Sequence, residues 1–372
     1  MKATKLINLI YRYLAKPLFF QLNPEFTHDF ICWLGELLGN CQATRRLTSY
    51  FLKYQDPALK QSILGIEFQN PVGLGAGFDK NARLTKILPE VGFGFEEVGS
   101  ITGEYCPGNS KPRLWRLPKS RGLLVHYGLM NDGADAISSR LRHQKFNFPI
   151  GISIAKTNNP ATVEVASGVA DYVKAFQAFT DIGEYFTINI SCPNAFGGEP
   201  FTTPDRLEQL LGALDQIFTN KPIFIKLPAC LPLSEIDALV EVAKRHRVHG
   251  FIATNLLKNR EDPSINQTEI AGLTQGAVGG KPVWEKSNQL VAHLYQTVGD
   301  KFVIIGLGGI FTAEDAYHKI KLGASLVQLV TGMIFEGPQS IGEINRGLAE
   351  LLKKDGYGNI AQAVGAAHRQ RA

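Results

Sequence analysis

The sequence predicts a (β/α)8 barrel of the α/β class, preceded by an N-terminal helical extension. Three observations carry this. From residue 71 onward, eight short apolar runs alternate with helical stretches, the runs being 71–75, 95–101, 149–155, 186–190, 222–227, 250–255, 302–307 and 325–330. Each run is of the kind that a parallel sheet buries on both faces. Glycines or polar residues stand at the C-terminal ends of the runs, where barrels of this type build their active sites. The alternative, a doubly wound open sheet, usually has fewer strands and a Gly-rich turn after the first.

Composition narrows the function. The 372 residues, 44% hydrophobic and 20% charged, are those of a globular protein. The net charge of +5 is spread along the chain, whereas nucleic-acid binding needs a clustered basic footprint. The five cysteines include no C-x-x-C pair, which argues against a metal or iron–sulfur site and fits a reducing compartment. No apolar run reaches the length of a membrane span, and the start lacks a plain signal-peptide core.

Residues 1–60 differ from the barrel region, 61–372. Lys2, Lys5, Arg12 and Lys16 are the only charges before Glu25, and leucine, isoleucine, tyrosine and phenylalanine fill the space between. That pattern predicts a basic amphipathic helix, interrupted near Pro17. A second apolar helix over 26–38 starts from Asn23-Pro24-Glu25. Such a pair suits peripheral contact with an anionic membrane surface through residues 1–40; the alternative is a cap packed on the barrel. Residues 40–60 read as a polar helix and linker.

Residues 62–68 and 71–75 read as two extended segments split by Gln69-Asn70. Helices are predicted over 134–143, 168–179, 204–218, 234–246, 283–298 and 312–322. The fourth strand places an amide, Asn189, inside an apolar run, where it is expensive without a partner. Cys192 and Asn194 follow at once. Two amides and a thiol at one strand mouth suit holding a flat polar molecule and taking a proton from it; a buried cysteine beside two turn asparagines is the plainer reading. Lys80, Lys226, Thr254 and Asn255 stand at other strand ends. Two lysines, several amides and a thiol converging on one mouth exceed what stability alone asks for.

Gly308-Gly309 after the seventh strand and Thr331-Gly332 after the eighth occupy the usual phosphate site of this barrel, with a helix starting at Thr312 to add its dipole. The bare backbone of Gly75-Ala76-Gly77 suits a flat ring over the mouth. A phosphorylated planar cofactor, flavin mononucleotide (FMN), satisfies both, with Lys226 placed to stabilise negative charge on the reduced ring.

The segments NPVGLGAGFDKNA, PGNSKPRLWRL, TINISCPNAFGG, ATN, IIGLGGI and GASLVQLVTGMIFEGP resemble those of the dihydroorotate dehydrogenases, over residues from about 61 to 338. The N-terminal helices, with Asn23-Pro24-Glu25 and His28, resemble the membrane-associated, quinone-reducing class. The resemblance implies oxidation of dihydroorotate to orotate in pyrimidine synthesis: a base removes the C5 proton, C6 passes a hydride to flavin N5, and a membrane quinone takes the electrons through a tunnel between the helices. It implies peripheral attachment, in a bacterium to the cytoplasmic face of the inner membrane. By matching position, Ala76, Gly77, Phe78, Asp79, Lys80, Ser100, Ser153, Asn189, Lys226, Thr254, Gly280, Gly308, Gly309, Val330 and Thr331 would hold the flavin. Lys80, Tyr127, Gly128, Leu129, Asn131, Asn189, Asn194 and Asn255 would hold the substrate, and His28 and Arg116 would lie along the tunnel. Cys192 would be the base, assisted by Lys226.

The chain departs from the pattern at several positions. Cys192 replaces the serine usual in the quinone class, as in the soluble class. The substrate loop, usually N-R-M-G-F-N-N, reads V-H-Y-G-L-M-N over 125–131, so an asparagine that contacts orotate and flavin has become Val125. Leu256 stands for a threonine, Val330 for a tyrosine and Ser153 for an asparagine. These changes keep open two alternatives: an FMN oxidoreductase acting on another cyclic amide or imide, and a flavin-binding paralogue without catalysis.

Overall fold

The computed structural model describes residues 2–369; Met1, residues 370–372 and the side chains of residues 2–5, Lys2 and Lys5 among them, lie outside the described residues. The eight expected strands close into a parallel barrel. They are β3 (Val72–Leu74), β4 (Phe95–Ile101), β7 (Ile150–Ile154), β8 (Tyr185–Asn189), β9 (Ile223–Lys226), β10 (Gly250–Ala253), β12 (Val303–Leu307) and β13 (Leu326–Leu329). Around the barrel β3 neighbours β13 and β4, and β10 closes the ring between β9 and β12. The register sets Asn189 beside Lys226 and Ala253 beside Gly306, which brings the polar strand ends to one level at the mouth.

Residues 62–68 were expected as one extended segment, but they belong to a hairpin, β1 (Gln61–Ile63) and β2 (Ile66–Phe68). Gly65 takes φ +79° in its turn, a conformation open to glycine at no steric cost. The hairpin and its neighbours plug the barrel floor: Ile63 and Ile66 pack on Phe68, Phe95, Tyr185, Phe224, Ile252, Ile305 and Leu326. Above this plug lies a polar layer, where Glu97 accepts from Thr187 Oγ1 at 3.0 Å and Gln328 Nε2 at 2.9 Å. Burial pushes the Glu97 carboxyl up, against the pull of Lys226 one layer nearer the mouth.

The outer layer comprises α5 (Leu88–Val91), α6 (Ala134–Leu141), α7 (Val165–Ala178), α8 (Pro204–Asp215), α9 (Leu233–Ala243), α11 (Trp284–Val298), α12 (Ala313–Lys321), α13 (Thr331–Glu336) and α14 (Ser340–Lys354). Their apolar faces and the outward faces of the strands form the main core. A second sheet, unassigned from the sequence, is antiparallel: β5 (Leu114–Leu117), β6 (Gly122–Val125) and β11 (Ala277–Gly280). Its strands come from the connections after β4 and after β10, which also carries α10 (Gln267–Ile270).

At the N-terminus, α1 (Lys2–Ile10), a π-helical turn (Tyr11–Ala15) and α2 (Lys16–Gln21) run on without a break at Pro17. Pro17 falls in the first turn of α2, directly after the wide turn, where its missing N–H is least felt. Next come α3 (Pro24–Asn40) and α4 (Gln42–Leu52). Asn23 caps α3, accepting from the N–H groups of Glu25 and Phe26 at 3.0 and 3.1 Å. One side of this unit packs on the barrel, through Tyr11 Oη to the Ile334 carbonyl at 2.7 Å and Asn8 to Glu343 at 3.1 Å. The other side leaves Leu14, Leu18, Phe26, Trp33 and Leu37 exposed. No helix among the described residues is long and apolar enough to cross a membrane.

Candidate active site

The strand ends open into a cavity of roughly 1140 Å³, counting its mouth, beneath the small sheet. Its inner wall is a chain of amides and hydroxyls. Asn189 Nδ2 donates to Ser100 Oγ at 2.8 Å, and Ser100 shares a hydrogen bond with Ser153 Oγ at 2.8 Å. Asn189 Oδ1 accepts from Asn255 Nδ2 and from Ser191 Oγ, each at 3.2 Å. This answers how a strand amide survives burial: both ends are bonded. Asn255 also donates to the Ser191 carbonyl at 2.7 Å, so it braces the turn that carries Cys192.

Cys192 is partly buried at the cavity edge. Burial pushes its thiol up to about 11, with Glu199 adding to the rise; Lys226 and the Asn194 N–H pull the other way. Burial thus outweighs the pull of Lys226, and the thiol stands above its ordinary value. Lys226 is itself buried, which lowers its pKa. Lys80, also on the cavity wall, is not among the charges acting on Cys192. Its Nζ is 4.1 Å from the centre of the Tyr127 ring and 3.2 Å from His28 Nε2, and burial holds its pKa down to about 8. Tyr127 Oη is buried without a hydrogen-bond partner. Asn194 Nδ2 donates to the Val125 carbonyl at 2.9 Å, while its Oδ1 is held only loosely, 3.4 Å from His126 Nδ1.

Opposite this polar corner is a glycine cradle. Gly308 and Gly309 adopt φ +122° and +74°, and a Cβ on Gly309 would come within 2.7 Å of Trp284 Cβ. Their N–H groups have no acceptor among the described residues. Gly332 is packed so closely on the Ile310 carbonyl that no side chain fits. Free N–H groups on bare backbone are what a phosphate requires, so the residues present fit FMN. The start of α12 contributes less than expected, since Asp315 Oδ2 already accepts from the Phe311 and Thr312 N–H groups at 2.9 and 3.2 Å. At the other end Gly77, φ +106°, has open space where a side chain would point.

Ala76, Gly77, Lys80, Ser100, Tyr127, Gly128, Leu129, Asn189, Cys192, Asn194, Lys226, Thr254, Asn255, Gly280, Gly308, Gly309, Val330 and Thr331 all line this one cavity. Six expected residues stand outside its lining. Asn131 is buried in a turn, donating to Thr102 Oγ1 and the Leu129 carbonyl, both at 2.8 Å. Asp79 caps the following turn through the Arg83 and Leu84 N–H groups at 2.9 and 2.6 Å. Ser153 supports Ser100 from behind, and Phe78 packs edge-on against His28, with ring centres 5.1 Å apart. His28 reaches the cavity wall through Lys80 and the Tyr127 ring, whose centre is 6.2 Å from its own. Arg116 donates to the Leu22 carbonyl at 2.7 Å and lies over the Phe20 ring, between the small sheet and α2.

Sequence reasoning missed the cavity's apolar roof, Leu123 and Val125 of β6 with Leu256, Val283 and Phe311. A signal existed: the apolar runs of PRLWRL and GLLV flank Pro118 to Gly122, a hairpin pattern. Also missed was the buried pairing of Glu25 with Arg113, at 2.7 Å, which bolts α3 to the loop before β5.

Residues 58–352 match the family described as dihydroorotate dehydrogenase. A protein from Gloeobacter violaceus named dihydroorotate dehydrogenase (quinone) is 38% identical over 363 residues, 96% of this chain and 99% of its own. One of the same name from Natronomonas pharaonis is 38% identical over 355 residues, 95% of this chain and 98% of its own. Among solved structures, a DHODH from Eimeria tenella in complex with ferulenol superposes with a TM-score of 0.80 at 28% identity, covering 93% of this chain and 96% of that one. With the barrel, the cavity at its mouth and relatives matching nearly end to end, the chain belongs to the dihydroorotate dehydrogenase family, in its quinone class.

Proposed function

We propose that this chain oxidises dihydroorotate to orotate for pyrimidine synthesis, holding FMN in the barrel mouth and passing the electrons to a membrane quinone. The observation that carries this is the division of one cavity into a phosphate cradle at Gly308-Gly309 and a polar corner at Cys192, Asn194 and Lys226. Bound there, FMN supplies the acceptor for the hydride leaving C6 and the donor to the quinone.

The remaining work falls to this chain's side chains. Cys192 takes the C5 proton as general base. Lys226, cationic and dry beside it, favours the thiolate and any negative charge that grows next to it. Asn194 Oδ1, the least engaged acceptor of the corner, accepts a ring N–H of the substrate. Asn189 and Asn255 keep the Cys192 turn in place through Ser191. Lys80 supplies a cation for the substrate carboxylate. Residues 1–60 serve attachment and quinone access and 61–372 the chemistry, with His28 and Arg116 beside the path between them. The exposed apolar face of α1 to α3 fits a peripheral site on a membrane surface, the cytoplasmic face of the inner membrane in a bacterium.

A second reading, oxidation of another cyclic amide or imide, draws on Val125 and Leu256, which make one side of the cavity apolar. Anaerobic mixing with dihydroorotate separates the two. Bleaching of the bound flavin supports dihydroorotate, and a yellow spectrum that persists overturns it.

A further inference from the structure

Behind the phosphate cradle lies a buried cation that the chemistry above does not use. Lys319, on α12, is fully buried. Its methylenes occupy the space where a Cβ on Gly306 would stand. Its ammonium donates to Ser287 Oγ at 2.8 Å and Asn288 Oδ1 at 2.6 Å, and lies 5.0 Å from the centre of a Trp284 ring. Ser287 donates in turn to the Leu307 carbonyl at 2.8 Å. Leu307 leads directly into Gly308-Gly309, and Trp284 is the residue against which Gly309 is packed. The ammonium therefore stands one layer of residues behind the glycine turn.

Every direct partner of this ammonium is neutral. On its own helix, Asp315 sits one turn away but pairs with Lys281 Nζ at 2.9 Å and with the backbone of Phe311 and Thr312. His318, also on α12, faces the Trp284 ring. Lys281, before α11, lies 4.2 Å from a Trp284 ring centre and adds a second positive charge. Glu285, in the first turn of α11, is the other carboxylate acting on Lys319, and it makes no ion pair with it among the described residues. Burial holds the Lys319 ammonium down to about 7, with Lys281 lowering it and Asp315 and Glu285 raising it. A buried cation without a close counter-charge is costly. On the cavity side the Gly308 and Gly309 N–H groups, without an acceptor among the described residues, suit an anion opposite this ammonium.

We propose that Lys319 is the buried counter-charge of the cofactor's phosphate, acting from behind the Gly308-Gly309 turn so that the site selects a phosphorylated flavin over the same flavin without phosphate. The proposal rests on the FMN reading of the cradle. It is a charge–charge effect through protein, which salt screens little. It carries a proton with it. A phosphate dianion favours the charged lysine, so above the lysine's flavin-free pKa binding draws a proton from solution, and affinity falls as pH rises from there.

The test compares FMN with riboflavin on the full chain, stripped of flavin and reconstituted. Lys319→Met keeps the length of the side chain and removes the charge. Its affinity for FMN should fall by roughly tenfold or more, while riboflavin binding is nearly unchanged. Calorimetry of the parent near pH ~8, in two buffers of different ionisation heat, should show net proton uptake with FMN and none with riboflavin. Equal losses for both flavins, an unaltered FMN affinity, or FMN binding without proton uptake by the parent overturns the proposal. If Lys319→Met does not fold, the proton count of the parent decides. A parent chain that binds neither flavin refutes the cofactor reading itself, whereas one that binds FMN while Lys319→Met binds it equally well refutes only the role of Lys319.

Discussion

Cys192 offers the sharpest test of the chemistry. Its thiol is pushed up to about 11, so at pH 8 only ~10⁻³ of it is thiolate. A base held so far above ambient pH leaves a plain signature. At saturating dihydroorotate, whose carboxylate keeps Lys80 charged, the rate of flavin reduction should climb about tenfold per pH unit from roughly pH 7 to pH 10, then level off near the thiol's own value. Cys192→Ala should reduce flavin about 10²–10⁴-fold more slowly, the usual contribution of a positioned base. The Ala variant should still fold and stay yellow, since the thiol is only partly buried and accepts no packing load from the glycine cradle on the far side of the cavity. Cys192→Ser should be intermediate, because a hydroxyl gives up its proton less readily, and its rate should rise only at higher pH than the parent's. Anaerobic stopped-flow measurement of flavin absorbance across pH gives all three curves. An Ala variant as fast as the parent, or a parental rate flat from roughly pH 7 to pH 10, refutes the assignment of this thiol as the base.

The other expectations concern the cradle and the extension. Gly309→Val forces a branched side chain into φ +74° and against Trp284, so the protein should purify folded but colourless; retained flavin would show that the cradle does not hold the phosphate. Glu25→Gln leaves Arg113 buried without its carboxylate and should lower stability by about 3–5 kcal/mol, read as an earlier thermal transition; an unchanged melting temperature would mean that α3 is not held by this pair. Leu14→Glu with Trp33→Glu places charge on the exposed apolar face, and should abolish binding to anionic lipid vesicles while leaving flavin reduction by dihydroorotate intact; unaltered vesicle binding would place the membrane contact elsewhere.

The barrel was legible because each strand is a short apolar run that stops at a polar or glycine residue, and that boundary also marks the active end. All eight strands fall within a residue or two of the expected bounds. The glycine turns at the mouth were legible for the same reason, since bare glycines follow the last two strands. What stayed hidden depends on partners far apart in the chain. The small sheet pairs β6 with β11, about 150 residues later, and no local pattern announces such a pairing. The sense of the Cys192 shift was hidden too, because it is set by burial, which a sequence does not display, and not by the charges, which it does. Asn131 is the converse case: its position matched a substrate contact, and in the structure its amide serves the turn at Gly133.

The N-terminal helices are better understood as a wall of the site than as an attached tail. Three contacts from the short stretch 22–28 reach the barrel near the cavity: Glu25 pairs with Arg113, His28 Nε2 lies 2.9 Å from the Phe78 carbonyl, and the Leu22 carbonyl accepts from Arg116. His28 Nε2 is also 3.2 Å from Lys80 Nζ, so α3 touches a cation that lines the cavity. The ring nitrogen cannot donate to the Phe78 carbonyl and accept from Lys80 at once. Burial and the Lys80 charge lower the imidazole's pKa, while Asp29 and the Phe78 carbonyl raise it, so Nε2 serves either the carbonyl or the lysine, according to its tautomer. Whatever displaces α3 from the barrel thus moves the imidazole away from Lys80, a cation that lines the cavity. The extension meets the cavity wall at two side chains, Lys80 and Tyr127, both in contact with His28 of α3.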